Sequence, residues 1–328
     1  MTSREIVIKA LEFHHPERIP MALPEPYPND FCGGGIAGLP GDRSTGWVEQ
    51  DDGSWEMVDV FGNVWRRLEQ FSKGEVHRPV LREWTDLDDY EWPDLDNPAR
   101  YQAAAQAFTK SPDRYRLAGI PGFPFNLARK MRRMDQYLTD LLLEREWVDR
   151  LNDALADLLD RCIVRLAEAG ADGFIFCEDW GTQDHLLIRP DLWREAFKPH
   201  FARLCATARQ HNLHVWMHSC GYIADIIEDL IEVGVSVLQL DQPALFGIEW
   251  LGKKFGGRVN FWCPVDIQQT LQSRDPVRIE AEARQLIEKL GCFGGGFIAK
   301  IYSDNDSIGL EPKWQEIACE AFFRYGQY

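Results

Sequence analysis

The sequence lacks any apolar run near the ~20 residues that a bilayer-spanning helix requires, which argues against an integral membrane protein. No glycine-rich dinucleotide turn follows its first strand-like segment. Gly294-Gly295-Gly296 is not followed by the Lys-Ser/Thr pair of a nucleotide-phosphate loop. Cysteine is sparse: Cys32, Cys162, Cys177, Cys205, Cys220, Cys263, Cys292 and Cys319 are scattered over 328 residues, unlike the dense spacing of a secreted disulfide scaffold. Positive charge is also short. Lys and Arg number 36 against 52 Asp and Glu, a formal net charge of −16, which disfavours nucleic acid and anionic membranes as partners. The opening residues, MTSREIVIKALEFHHPERIP, read as a charged amphipathic helix rather than a leader. The expected compartment is reducing cytoplasm.

Hydrophobic residues make up 45% of the chain, enough for a large core. Periodicity predicts a helix at 3–14, a strand at 19–23, an irregular Gly- and Pro-rich loop over 24–53, and a hairpin over 54–69 that turns at Gly62-Asn63. The segment 70–100 is acidic and poorly patterned. A strand at 114–120 and helices at 126–133, 135–143 and 147–169 follow. Beyond Gly170 the pattern is regular. Strands at 172–178, 213–219, 235–241, 259–263 and 296–303 alternate with helices at 190–212, 223–234, 246–255 and 275–291, and a last helix spans 312–325. Apolar strands in series, separated by helices, predict a parallel sheet buried on both faces. The expected fold class is α/β: a single (β/α)8 TIM-type barrel over 1–328, with an irregular N-terminal segment supplying the hairpin and extra helices. A doubly wound open sheet is the alternative.

In a barrel, reactive side chains gather at the C-terminal ends of the strands. Here those ends carry Glu178-Asp179, His218-Ser219-Cys220, Asp241-Gln242, Cys263 and Tyr302. Residues i and i+2 of an extended segment share a side, so His218 and Cys220 are expected to face one point. Imidazole and thiolate are favoured zinc ligands, and a catalytic zinc keeps one position open. Cys263 or Glu178 would complete the set, with Asp179 or Asp241 hydrogen-bonded to the imidazole. By the same alternation Cys177 is expected to point the other way, into the barrel–helix layer. Read without function, His218 and Cys220 are two core residues, and Trp180, Trp216 and Trp262 are packing.

Several stretches resemble the uroporphyrinogen decarboxylase superfamily, especially its corrinoid-dependent methyltransferase branch. They are VIKALEFHHPERIPM, VDVFGNVWRR, EDWGTQDHLLIRPDLWREAFKPHFARL, HSCGYIADIIEDLIEVGVSVLQLDQP and FWCPVDIQQTL. The decarboxylases proper carry an arginine-rich RQAGRY segment after the first strand. This chain has LPEPYPNDFCGGG there, so porphyrinogen decarboxylation is not expected. The resemblance implies a zinc enzyme with His218 and Cys220 as ligands, moving a methyl group between a methylated small molecule, such as a methoxylated aromatic, or a thiol and the cobalt of a corrinoid protein. The branch's late cysteine is missing: Tyr302-Ser303-Asp304 stands near its place, and Cys263 is the expected substitute. Glu178, Asp179 and Tyr302 are implied as catalytic groups, and Gln183, Asp241 and Trp180 as substrate contacts. A metal-free decarboxylase-like enzyme and a non-catalytic binding barrel are the rival readings. Monomers and homodimers both occur in the superfamily, and both stay open here.

Overall fold

The computed structural model describes residues 1–39, 46–70 and 72–327. Helix α1 (Ser3–Leu11) starts at Thr2, whose hydroxyl accepts from Glu5 N–H while the Glu5 carboxylate accepts from Thr2 N–H, a reciprocal cap. Strands β1 (Met21–Ala22) and β2 (Phe31–Gly35) follow. Then β3 (Val48–Glu49), β4 (Trp55–Val58), β5 (Val64–Arg67) and β6 (Glu75–Arg78) form a small antiparallel sheet. The rest alternates: α2 (Gln102–Lys110), β7 (Tyr115–Gly119), α3 (Pro124–Met131), α4 (Met134–Leu143), α5 (Arg145–Glu168), β8 (Gly173–Cys177), α6 (Pro190–Ala196), α7 (Lys198–Gln210), β9 (His214–His218), α8 (Ile227–Val233), β10 (Val237–Gln239), α9 (Ile248–Phe255), β11 (Asn260–Cys263), α10 (Pro276–Leu290), β12 (Phe297–Lys300) and α11 (Pro312–Tyr325).

Eight strands form one parallel sheet in the order β1-β12-β11-β10-β9-β8-β7-β2. The barrel is therefore the fold, and the open sheet is excluded by the seam. There Asp30 N–H donates to Met21 O and Met21 N–H donates to Asp30 Oδ2, each at 2.8 Å. Asp30 is fully buried, and Arg18 grips both of its oxygens at 2.7 Å. Inside the ring Phe31, Leu117, Trp216, Val237 and Ile298 pack together, and Val7 and Leu11 of α1 join them from the N-terminal end. Helix α1 is thus a plug, held by Asn260 Nδ2 donating to Leu11 O at 3.0 Å. Outside the ring, Phe174, Phe176, Val215, Met217, Leu238, Phe261 and Phe297 meet the helices.

The structure revises the reading of the N-terminal half. The stretch FCGGG, expected within a loop, is the second barrel strand, paired from Phe31↔Tyr115 to Gly35↔Gly119. Glycine serves proximity here. A Cβ on Gly34 would lie 2.5 Å from the Phe108 ring and 3.1 Å from Ala104 Cβ, so α2 approaches the strand too closely for a side chain. Strand β6 lies in the acidic stretch 70–100, where the sequence showed little pattern, and helix α2 lies just beyond it, where no element was expected. The hairpin around Gly62-Asn63 forms as β4–β5. Its turn is organised by Asp59, which accepts from Phe61 N–H, Asn63 N–H, Asn63 Nδ2 and Trp65 Nε1 at 2.8–3.0 Å. The helix expected over 190–212 breaks at Phe197 into α6 and α7.

Asp30→Ala would leave Arg18 with only the Ile19 carbonyl and the Met21 N–H without its acceptor. Removing one partner of a buried pair costs about 3–5 kcal/mol, so the urea midpoint should fall sharply. A midpoint within error of the parent would show that the seam does not depend on this carboxylate.

Candidate metal centre

At the mouth of the barrel three ligand-type side chains converge: Asp179, His218 and Cys220, with one donor atom from each lying within 4.8 Å of the others. Cys220 Sγ is 3.3 Å from His218 Nε2, and Asp179 Oδ1 is 3.5 Å from the same nitrogen. Zinc bonds of about 2.0–2.3 Å at tetrahedral angles put ligand atoms roughly 3.3–3.8 Å apart, so this spacing fits a zinc ion.

The loops after β8 and β9 create the convergence. Gly181 and Gly221 lie back to back, and a Cβ on either would land inside the other's backbone; Gly221 also has φ +74°. Tyr222 N–H donates to Thr182 O at 2.7 Å, and Trp180 N–H donates to Ser219 Oγ at 3.2 Å. Cys220 N–H donates to Asp179 Oδ1 at 2.9 Å, which anchors the carboxylate beside the thiol.

The imidazole is oriented from behind. Lys300 Nζ donates to Asp241 Oδ1 at 2.9 Å, and Gln239 Nε2 donates to the same oxygen at 2.7 Å. A carboxylate only accepts, so the Gln239 amide nitrogen must face Asp241 and its Oε1 must face His218. That oxygen lies 2.6 Å from His218 Nδ1, which therefore carries the proton. Nε2 is left with a lone pair aimed at the thiol, the tautomer a metal needs. Burial pushes the Asp241 carboxyl up, but the Lys300 charge and the hydrogen bonds from Lys300 and Gln239 hold it below the usual range. Cys220 is exposed as a residue, yet burial around its sulfur, then Asp179 and Asp241, push its pKa up to about 12. Only a cation would make it a thiolate near neutrality.

Strand parity departs from expectation at β8. Register pairs Cys177 with His218 and His218 with Gln239, and neighbours paired in register share a side of the sheet. Ile175 faces the barrel interior, while Phe174 and Phe176 face the helices. Cys177 thus lies exposed at the mouth, not in the barrel–helix layer. Glu178 falls on the opposite phase and is fully buried. Its Oε1 accepts from Asn126 N–H at 3.2 Å, capping the N-terminus of α3, and its Oε2 has no partner among the described residues. Burial raises its pKa to about 8.

The other expected site residues scatter. Cys263 is buried on β11 and does not belong to the converging group. Trp180, expected against substrate, is fully buried, stacked on Phe125 at 3.9 Å and edge-on to Phe197 at 4.6 Å. Asp241 is buried and acts through Gln239 rather than facing outward. Gln183 is exposed in the turn after Trp180. Tyr302 turns its hydroxyl to Ser307 Oγ at 3.4 Å, in the loop after β12. Sequence reasoning placed Asp179 among catalytic or orienting groups rather than with the ligand-type pair His218 and Cys220, and did not single out Gln239. A lone amide in the apolar strand SVLQLD was the available signal.

A parallel barrel with a His-Cys-Asp cluster at its C-terminal rim is of the α/β-barrel class, in which reactive side chains gather at that rim. The Uroporphyrinogen decarboxylase (URO-D) family profile matches residues 69–301, most of the chain, and the chain belongs to that family. Among solved structures it is similar to a methyltransferase from Methanosarcina mazei. The two are 18% identical, with a TM-score of 0.64 over 81% of this chain and 76% of that one. It is more distantly similar to the 3-keto-D-glucoside 4-epimerase YcjR from E. coli, at 13% identity and a TM-score of 0.43 over 68% of this chain and 84% of that one. No curated protein matches it. No helix among the described residues is long and apolar enough to cross a membrane.

Glu178 gives a pH signature. Between its usual value of 4.5 and about 8 the folded protein holds a proton that the unfolded chain has released. Stability contributed by this group is therefore full below that window and lost as pH rises through it. Relative to Glu178→Gln, the metal-free parent should lose on the order of 3 kcal/mol between pH 5 and 8. Parallel urea unfolding curves at the two pH values measure the difference, and pH-independent spacing would contradict it.

Proposed function

We propose that this chain is a zinc-dependent methyltransferase that moves a methyl group between a methylated small molecule or a thiol and the cobalt of a corrinoid carried by a partner protein. A methoxylated aromatic is the favoured methyl donor. The observation that carries the reading is the convergence of His218 Nε2, Cys220 Sγ and Asp179 Oδ1 at the barrel rim, with His218 Nδ1 already committed to Gln239. Membership of the URO-D family and the shared fold of the M. mazei methyltransferase support it.

Zinc held by His218, Cys220 and Asp179 would supply a Lewis acid to the leaving heteroatom of a methyl ether, or keep an acceptor thiol deprotonated. The protein's own contribution is orientation. Gln239 and Asp241 hold the ring, the Gly181–Gly221 contact holds Asp179 beside Cys220, and Gln183 and Tyr302 on flanking loops are left to meet substrate. Cys263 and Glu178 stand behind these groups, Glu178 as a neutral carboxyl near pH 7.

Elemental analysis should find about one zinc per chain, consistent with one rim cluster. Cys220→Ala should weaken zinc by more than ~100-fold and abolish corrinoid methylation. Gln239→Leu, which removes only the orienting acceptor, should cost about 10–100-fold in affinity. Methylation of a corrinoid protein, followed by visible absorption over a panel of methoxylated donors, is the activity readout. No stoichiometric zinc together with unchanged turnover in Cys220→Ala would favour a metal-free decarboxylase-like enzyme. Zinc loss with partner binding kept and no turnover on any donor would favour a binding barrel.

A further inference from the structure

The ends of β8 and β9 form a grid of four side chains. Cys177 pairs in register with His218. Two residues further along each chain, Asp179 and Cys220 meet through the hydrogen bond from Cys220 N–H to Asp179 Oδ1 at 2.9 Å. Three corners of the grid are the converging donors Asp179, His218 and Cys220. The fourth corner is Cys177, and thiolate is a ligand that zinc favours. We propose that Cys177 is the fourth protein ligand of the zinc before substrate binds, and the second sulfur of the site. The inference rests on the zinc part of the reading above and adds a residue to it.

Strand parity puts Cys177 on the same side as the cluster. Residues two apart in an extended segment share a side, so Cys177 follows Ile175 to the inner face, while Phe174 and Phe176 take the helix side. The cysteine is exposed at the mouth. His218 supplies the direction. Its Nδ1 is bonded to Gln239 on β10, and the two ring nitrogens point away from each other, so Nε2 faces β8. Asp179 Oδ1, just beyond the end of β8, lies 3.5 Å from that nitrogen. Neighbouring strands stand about 4.8 Å apart, so Cys177 starts one strand spacing from His218. Its sulfur stands outside the group whose donor atoms lie within 4.8 Å of one another. A rotation about its single χ angle, from one staggered position to another, turns it to the metal. Among the described residues no hydrogen bond holds the thiol where it is.

No other cysteine among the described residues is placed to be that second sulfur. Cys263 follows Trp262, which packs inside the barrel, and so faces the helices. Cys162, Cys205 and Cys319 are buried on α5, α7 and α11. Cys32 turns to α2, 3.6 Å from Ala107 O, and Cys292 precedes β12 at the opposite end of the barrel. Charge agrees with the assignment. Two thiolates and a carboxylate around a divalent ion leave one negative charge. The Arg129 guanidinium stands 3.9 Å from Asp179 Oδ2, and its other partners, Asn126 Oδ1 and Met134 Sδ, are neutral, so its charge is available to the site. A substrate heteroatom would enter by displacing Cys177, the one donor that no hydrogen bond orients. The zinc–sulfur bond to Cys177 then breaks as the bond to the heteroatom forms, and Cys177 leaves as a thiol with a proton from water.

The test counts sulfurs on the zinc-loaded full chain, without a corrinoid partner or substrate. X-ray absorption at the zinc edge should show two sulfur neighbours at about 2.3 Å in the parent and one in Cys177→Ala, with one zinc per chain in both. In the parent, iodoacetamide should label Cys177 at least about tenfold more slowly with zinc than after chelation. Cys292, exposed at the other end of the barrel, should be labelled equally in both. The labelling needs no variant, so it decides the matter even if Cys177→Ala folds badly. One sulfur in the parent, two sulfurs surviving in Cys177→Ala, or equal labelling of Cys177 with and without zinc would each overturn the inference. One sulfur on a bound zinc would sink this inference alone, whereas a chain that binds no zinc would sink the metal centre with it.

Discussion

A β-strand has two sides, and the register Cys177–His218–Gln239–Trp262 across β8 to β11 decides which side chains share the inner one at the mouth. The orientation of the imidazole and the placing of Glu178 follow from that row, and the loops just beyond it bring in Asp179 and Cys220. His218 and Gln239 stand side by side because their strands pair in register, so a neutral amide reaches the imidazole before any carboxylate does. Glu178 is one residue out of phase, and that single step moves it from the mouth to the back of the strand, where it caps α3. Slipping β8 by one residue would exchange the two, because side-chain direction has a period of two.

The row is rigid for reasons lying outside it. Below, α1 plugs the barrel with Val7 and Leu11, and Asp30 ties β1 to the start of β2 through Arg18. Around it, the ring of Phe123, Phe174, Phe176 and Phe201 and the stack of Phe125 on Trp180 fill the layer between strands and helices. Above, the paired glycines at 181 and 221 let two loops touch through their backbones. Zinc ligation tolerates errors of a few tenths of an ångström, and this packing is what holds donor atoms from two loops to such a margin.

Electrostatics divides the molecule. The surface is acidic overall, yet the groups around the mouth alternate. Asp179 and Cys220 would neutralise a bound zinc, Asp241 and Lys300 neutralise each other, and Glu178 stays protonated near pH 7. Arg129 stands 3.9 Å from Asp179 Oδ2 at the same mouth.

The regular half of the fold was legible. Apolar runs of strand length separated by amphipathic helices identify βαβ units, and a barrel puts their C-terminal ends, with His218, Cys220 and Asp179, at one rim. The His-x-Cys spacing could be read because i and i+2 always share a side. Other features could not be read, because they depend on distances between segments far apart in the chain. The strand Phe31–Gly35 looks like loop until α2 is packed against Gly34. The phase of β8 is undecided in GFIFCED, since both of its sides are apolar, until the aromatic layer claims Phe174 and Phe176. Lys130 reads as one more helix cation until the hairpin closes over it. The sequence by itself determined the barrel and the imidazole–thiolate pair, because both are local periodicities. Only the tertiary structure decided which carboxylate joins that pair and which amide stands behind the imidazole, because each is a contact between side chains whose meeting is set by packing rather than by spacing.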